Sequence, residues 1–388
     1  MKKILAFLTA FVMFIITIVC FHNMLSGDLR MNNRDFGTWY NNYKDLSYNG
    51  LIQNMHYDTM PVFGSSEFRH GRKTAFHPRK VFKDSDATIM TIGGPYNQCL
   101  NHAITLGAIS NKIKKKKVVL LISMSWFFKG GITGDRYALR FSEGNYMAFM
   151  DNPKISKEVK EYVAKRSESL LTGDIDKLRF VKRTDHIKLD GSKLLLENLA
   201  YDINKAYVDD KDLLVMQSLM KQAKIKRNSS YPKLSKTVGA PDWSDLLLKA
   251  RRSATKSYNN DYYMDAKFWN RHIGSKYKAH KDNLQKETLT DSPEFADLEA
   301  FLKICKEEKI KPMLVVLPVN GKWYDYKGVD GVKRSNFTNK IYDYAKKYNA
   351  EAVEFSKYEY MPNIIKDAVH PGSEGWVRIN EAIYNFYH

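Results

Sequence analysis

The chain of 388 residues carries 44% hydrophobic residues, enough for the packed core of one large domain or two smaller ones and too many for a mainly disordered chain. Three cysteines exclude a disulfide framework, and the ten histidines are scattered without a His-x-x-x-His pair that a helix could present to zinc. Lys and Arg number 62 against 43 acids, a net charge of +19, which favours an anionic partner such as nucleic acid, a membrane surface or an acidic polymer, with a solvated lysine-rich surface as the plain alternative.

In chain order, the first element is ILAFLTAFVMFIITIVCF, Ile4 to Phe21, which follows Lys2-Lys3 and contains no charge. Its length approaches the roughly 20 residues that cross a bilayer. No small-x-small cleavage site follows, and Val19 stands before Cys20 where a lipidated cysteine needs a small residue, so the segment reads as an uncleaved signal anchor. Lys2 and Lys3 precede the span, while Arg30 and Arg34 come only after Asp28; this asymmetry places the N-terminus in the cytoplasm and the body outside. The division expected is an anchor at 1–26, a linker at 27–56 and an extracytoplasmic domain at 57–388.

Short apolar, β-rich runs then recur: Pro61-Val62-Phe63, Thr88–Ile92, Val118–Ser123, Met313–Leu317 and Ala352–Phe355. Continuous runs of this length suit a parallel sheet buried on both faces, giving an α/β fold. Ser292, Pro293, Glu294 and Asp297 signal a helix over Pro293–Glu308, through its cap, its first turn and its dipole. Between the two halves of the sheet, 152–290 is rich in Lys, Asp, Asn and Tyr, with amphipathic pieces at Lys160–Leu171 and Leu213–Lys224; it reads as a mostly helical insertion. The run Lys114–Lys117 reads as a solvated helix end leading into a strand.

Two stretches carry chemistry. PVFGSSEFRH, Pro61 to His70, breaks an apolar strand at Gly64 into two serines, and KDAVHPGSEGW places Asp367 three residues before His370. A serine hydroxyl becomes a nucleophile when an imidazole takes its proton, and the imidazole works best when a carboxylate fixes its tautomer. Each stretch alone is a common turn. Together they follow the first and last strands, where sites gather in parallel sheets. His70 and His77 have no acid at an orienting spacing and read as surface residues.

YDTMPVFGSSEF around Ser66, TIGGPYN at Thr91–Asn97, VVLLISMSWF ending at Phe127, DSPEFADLE at Asp291–Glu299, LPVNGKWYDYKGVD at Leu317–Asp330 and DAVHPGSEGW at Asp367–Trp376 occur in the order found in one family. In these the chain resembles the DltD proteins of Gram-positive envelopes, themselves similar to SGNH (GDSL-type) esterases. The resemblance implies an SGNH-like sheet, Ser66 as nucleophile, His370 as base and Asp367 as its orienting acid. The candidate oxyanion and substrate pocket comprises Gly93, Gly94, Asn97, Ser125, Trp126, Trp323, Tyr324 and Asp325, with a turn as the other reading of Asn97 and core or lid packing as the commoner reading of Trp126, Trp323, Tyr324 and Asp325. The esterases take an oxyanion donor from an Asn in the block after the second inner strand. Here that block is Ser123-Met124-Ser125-Trp126, and related DltD sequences carry Gln where Ser125 stands, so Asn97 and the backbone amides of Ser66 and Gly93-Gly94 are the substitutes.

The activity implied is D-alanylation of teichoic acid by a membrane-anchored acyltransferase through a D-alanyl-Ser66 ester. No metal or other cofactor is implied. The partners implied are the teichoic acid polyanion, the membrane and membrane-bound D-alanyl transfer proteins, with no role for nucleic acid. A hydrolase with the same three residues and a non-catalytic accessory protein are the two other classes left open by the sequence.

Overall fold

The computed structural model describes residues 2–25, 28–192, 194–232, 239–254 and 258–388. Five strands form one parallel sheet in the order β2-β1-β3-β4-β5: β1 Met60–Phe63, β2 Ile89–Ile92, β3 Lys117–Ile122, β4 Lys311–Val316 and β5 Glu351–Val353. Each lies within two residues of an expected run. The alternation of side chains explains why those runs are unbroken: Val118, Leu120 and Ile122 enter the apolar layer on one face, while Val119 and Leu121 enter the layer on the other. With both faces covered, no position in the strand is free to be polar.

The first layer is built by α2 Cys99–Ile109, α3 Glu143–Asp151, α8 Glu294–Glu307 and α10 Gly331–Lys347, and the second by α7 Trp243–Ala254 and α11 Ser373–Tyr387. The start of α8 follows its sequence signals, since the Ser292 hydroxyl accepts from the Glu294 amide at 3.3 Å. Glu294 is fully buried, and its carboxylate accepts from the amides of Cys99 and Ile132, so it serves the first turn of α2 as well as that of α8.

The insertion between β3 and β4 carries α4 Lys157–Leu170, α5 Ile175–Lys188, α6 Leu195–Gln222 and α7; residues 193, 233–238 and 255–257, which belong to the same expectation, lie outside the described residues. Ser156 and Asp174 cap α4 and α5. Helix α6 extends well before the expected start at Leu213, since no Gly or Pro interrupts 195–222. The lysine run is not simply solvated: Lys117 Nζ donates to the Phe386 carbonyl at 2.7 Å, and Lys115 sits 3.9 Å from the Tyr387 ring, completing the C-terminal turn of α11.

Helix α1, Lys2–Leu25, is long and apolar enough to cross a membrane and packs none of that apolar window into the body. The expected boundary at 26–27 lies outside the described residues. The linker expected over 27–56 is a correction. Leu29, Phe36 and Leu51 are fully buried in the first apolar layer, and a Cβ on Gly37 would stand 2.3 Å from the Ile89 carbonyl oxygen. Lys44 is buried with its ammonium on the Gly37 carbonyl at 2.8 Å, and desolvation pushes it down to about 7. This segment is part of the body because its apolar residues enter the core, with Asp35–Thr38 packed on β2 and Tyr48–Gln53 on α2 and α6.

Candidate active site

Strand β1 ends in a tight elbow. The Gly64 amide donates to the Ile92 carbonyl at 3.0 Å, after which Ser66–Phe68 form a single 3-10 turn. Inside the elbow the Glu67 carboxylate accepts from the Ser65 amide at 2.6 Å, and burial pushes that carboxyl above its usual range. A side chain at Gly64 would meet the same carboxylate at 2.3 Å. The two serines are thereby separated in role. Ser65 is buried and its hydroxyl donates to the Gly94 carbonyl at 3.1 Å; Ser66 is half-buried and its Oγ lies 2.9 Å from His370 Nε2.

The second half of the site is a closed turn between β5 and α11. The Lys366 amide donates to the His370 carbonyl at 2.9 Å. Asp367 Oδ1 accepts from the amides of Val369 and His370 at 3.0 and 2.9 Å, and His370 Nδ1 is 3.0 Å from both carboxylate oxygens. Burial alone drives the Asp367 carboxyl up, but its bond to His370 and the two amide donors outweigh that, and it sits below its usual value. Since those donors favour the charged carboxylate, Nδ1 carries the proton and Nε2 faces the Ser66 hydroxyl as an acceptor. The insertion steadies this turn from outside, with the Asp265 amide donating to the Lys366 carbonyl at 2.8 Å.

The expected pocket residues divide differently. Gly93, at φ +141°, must be glycine, because a Cβ would lie 1.8 Å from the Gly64 carbonyl oxygen. Asn97 is a correction: its amide nitrogen is committed to Asp45, which also holds Arg140, so its side chain braces the body and does not face Ser66. Ser125 shares a hydrogen bond with Ser123 at 2.9 Å, and Trp126 is buried in the apolar layer 6.0 Å from the His102 ring. Trp323 and Tyr324, on α9 Gly321–Tyr326, are buried beneath the His370 turn, Trp323 in a cluster that includes Ala368. Asp325 bonds Arg334 at 2.7 Å and Tyr360 at 2.8 Å. Trp323 and Tyr324 are therefore buried packing residues, whereas Asp325 is exposed and engaged by Arg334 and Tyr360.

Two residues near the nucleophile escape the sequence reading. His77 is buried, caps Pro78–Val81 through Nδ1 and donates from Nε2 to the Phe68 carbonyl at 3.2 Å. His70, one turn after Ser66, stacks on His370 with ring centroids 3.6 Å apart. Its spacing of four from the nucleophile was the available signal. The groove of about 540 Å³ lined by Tyr43, Phe141, Asp174 and Asp212 among others includes none of Ser66, Asp367 and His370.

The tightness of the elbow has a measurable consequence. Gly93→Ala is expected to destabilise the full-length protein by about 2 kcal/mol or more, from positive φ and the collision with Gly64. Gly94→Ala, at a backbone angle outside the positive-φ region and with its Cβ meeting the Arg140 guanidinium at 3.1 Å and no backbone atom closer, is the milder control. Equal denaturation midpoints for the two variants would contradict this account.

A parallel α/β sheet bearing serine, imidazole and carboxylate in a hydrogen-bonded series at the carboxyl ends of its strands has the architecture that acyl-transferring and hydrolytic serine enzymes share across folds. A family model described as DltD protein matches residues 33–388. The chain is 30% identical over 345 residues to Protein DltD of Bacillus subtilis (strain 168), covering 84% of this chain and 82% of that protein. It is 24% identical over 344 residues to Protein DltD of Staphylococcus aureus (strain NCTC 8325 / PS 47), covering 86% and 83%, and 22% identical over 334 residues to Protein DltD of Lacticaseibacillus rhamnosus, covering 84% and 77%. The chain belongs to the DltD family.

Proposed function

We propose that this protein is a membrane-anchored serine acyltransferase that places D-alanyl groups on teichoic acid through an ester on Ser66. The DltD family takes part in D-alanylation of teichoic acids, and the observation that carries the finer reading is the unbroken series Ser66 Oγ to His370 Nε2 at 2.9 Å and His370 Nδ1 to Asp367 at 3.0 Å. In the forward half-reaction His370 Nε2 takes the Ser66 proton as Oγ attacks the carbonyl carbon of an activated D-alanyl ester or thioester. The tetrahedral oxyanion is held by the Ser66 amide and the Gly93-Gly94 turn, where one donor is typically worth about 3 kcal/mol. The leaving group departs with the proton from His370. In the second half a teichoic acid hydroxyl gives its proton to His370, attacks the D-alanyl-Ser66 carbonyl, and Ser66 leaves and is reprotonated. Teichoic acid ester content in a Ser66→Ala strain tests this reading.

The chain's +19 charge suits a polyphosphate acceptor and anionic headgroups. Helix α1 serves as the single-pass anchor, with a cytoplasmic N-terminus and the sheet domain outside. Deleting residues 1–26 is therefore expected to yield a soluble body that melts cooperatively, because the apolar window of α1 is unburied. The segment from Leu29 onward must be retained. An insoluble product without a cooperative transition would place α1 in the folding core and overturn the anchor assignment.

A further inference from the structure

We propose that His70 is a positioning residue for the serine site, its imidazole stacked on one face of His370 so that the ring stays aligned between Ser66 and Asp367 and shielded from water. The inference rests on the function proposed above. The two rings are 3.6 Å apart and 12° from parallel, and both residues are half-buried. Asp367 holds His370 only at its Nδ1 edge, and the second side-chain torsion of histidine is a broad, weakly restrained one. A flat neighbour on the ring face supplies the missing restraint. The chain delivers His70 to that place from the nucleophile's own turn, since the Arg69 amide donates to the Ser66 carbonyl and the His70 amide to the Glu67 carbonyl. One short segment thus sets both the hydroxyl and the wall of the base.

The charge state of His70 agrees with this role. Burial pushes its imidazole down, the neighbouring His370, Lys366 and Arg69 push the same way against Asp367, and it falls to about 4. A neutral ring against His370 does not repel the imidazolium that forms during acyl transfer, and its π face attracts it. A metal site is the competing reading, since ligand atoms of His70, Asp367 and His370 lie within 4.8 Å of one another. Rings 12° from parallel, however, send their in-plane lone pairs side by side and not toward one point, and both His370 nitrogens are already engaged by Ser66 and Asp367.

The test uses the full-length protein in detergent, labelled with 15N-histidine, as wild type, His70→Ala and His70→Phe, with an activated acyl ester as substrate. Wild type is expected to show a slowly exchanging low-field Nδ1 proton from the His370–Asp367 bond. In His70→Ala that signal should broaden into solvent exchange, and kcat for Ser66 acylation should fall about ten- to a hundredfold with KM little changed, the scale of a displaced catalytic group. His70→Phe keeps a flat ring of similar size, so the signal should persist and kcat should recover to within a few fold. A retained low-field proton in His70→Ala overturns the proposal whatever the activity. So does a His70→Phe protein as impaired as the alanine variant, which would mean that a ring nitrogen of His70 acts directly. The proton signal does not depend on the acceptor or on turnover, so failure of the teichoic acid reading is distinguishable from failure of this one.

Discussion

Replacing Ser66 by alanine is expected to reduce D-alanyl esters on teichoic acid in cells to near zero while the protein remains folded and in the membrane fraction. The hydroxyl is the sole atom deleted. Its neighbour Ser65 cannot substitute, because that side chain is buried and donates to the Gly94 carbonyl. Removing a serine nucleophile from such a series costs on the order of a millionfold in rate, whereas losing one half-buried hydroxyl costs the fold about 1 kcal/mol. The outcome separates three classes of protein. Esters near zero support the transferase, and an increase identifies a hydrolase that had been removing them. Wild-type ester levels in a strain with normal amounts of the variant would show that the hydrogen-bonded series has no catalytic role and that the protein acts as an accessory.

How much of this was legible in the sequence follows from how far apart the partners lie in the chain. The strands were legible because burial on both faces leaves runs such as Val118–Ile122 wholly apolar, and their ends slip by a residue or two where flanking Ser123 and Leu317 continue the pattern. The contact of Asp367 with His370 was legible because it is local, a turn closed within four residues. Its junction with Ser66 spans 304 positions, and strand-end placement with the family motifs pointed to it where local pattern could not. His70 was misread for the same reason, since the acid expected beside it is replaced by a ring arriving from the far end of the chain. Asn97 looked available for an oxyanion because Asp45, which claims it and is itself held by Arg140, comes from a separate segment. The segment before β1 resembled a linker because its polar residues outnumber Leu29, Phe36 and Leu51, yet Lys44 is buried whole.

Asp367→Asn is expected to slow reaction of Ser66 with a fluorophosphonate probe by roughly a thousandfold or more, without abolishing it. The carboxylate receives Nδ1–H of His370 and so leaves Nε2 bare toward Ser66. An amide at that position can turn its NH2 toward Nδ1, which selects the opposite tautomer and puts a proton where the acceptor is needed. The attacking hydroxyl remains, which is why labelling survives at a low rate and is absent only in Ser66→Ala. Stability should move with pH in a defined sense. Asp367 sits below its usual value in the folded protein, so its contribution is present above the unfolded value of about 3.9 and is lost as pH falls through the folded value. The variant should accordingly be less stable than wild type at neutral pH, with the gap narrowing in acid below about pH 4. Labelling of Asp367→Asn within a few fold of wild type, in a protein whose melting still shows this pH trend, would mean that the carboxylate holds the turn together without setting the tautomer of His370.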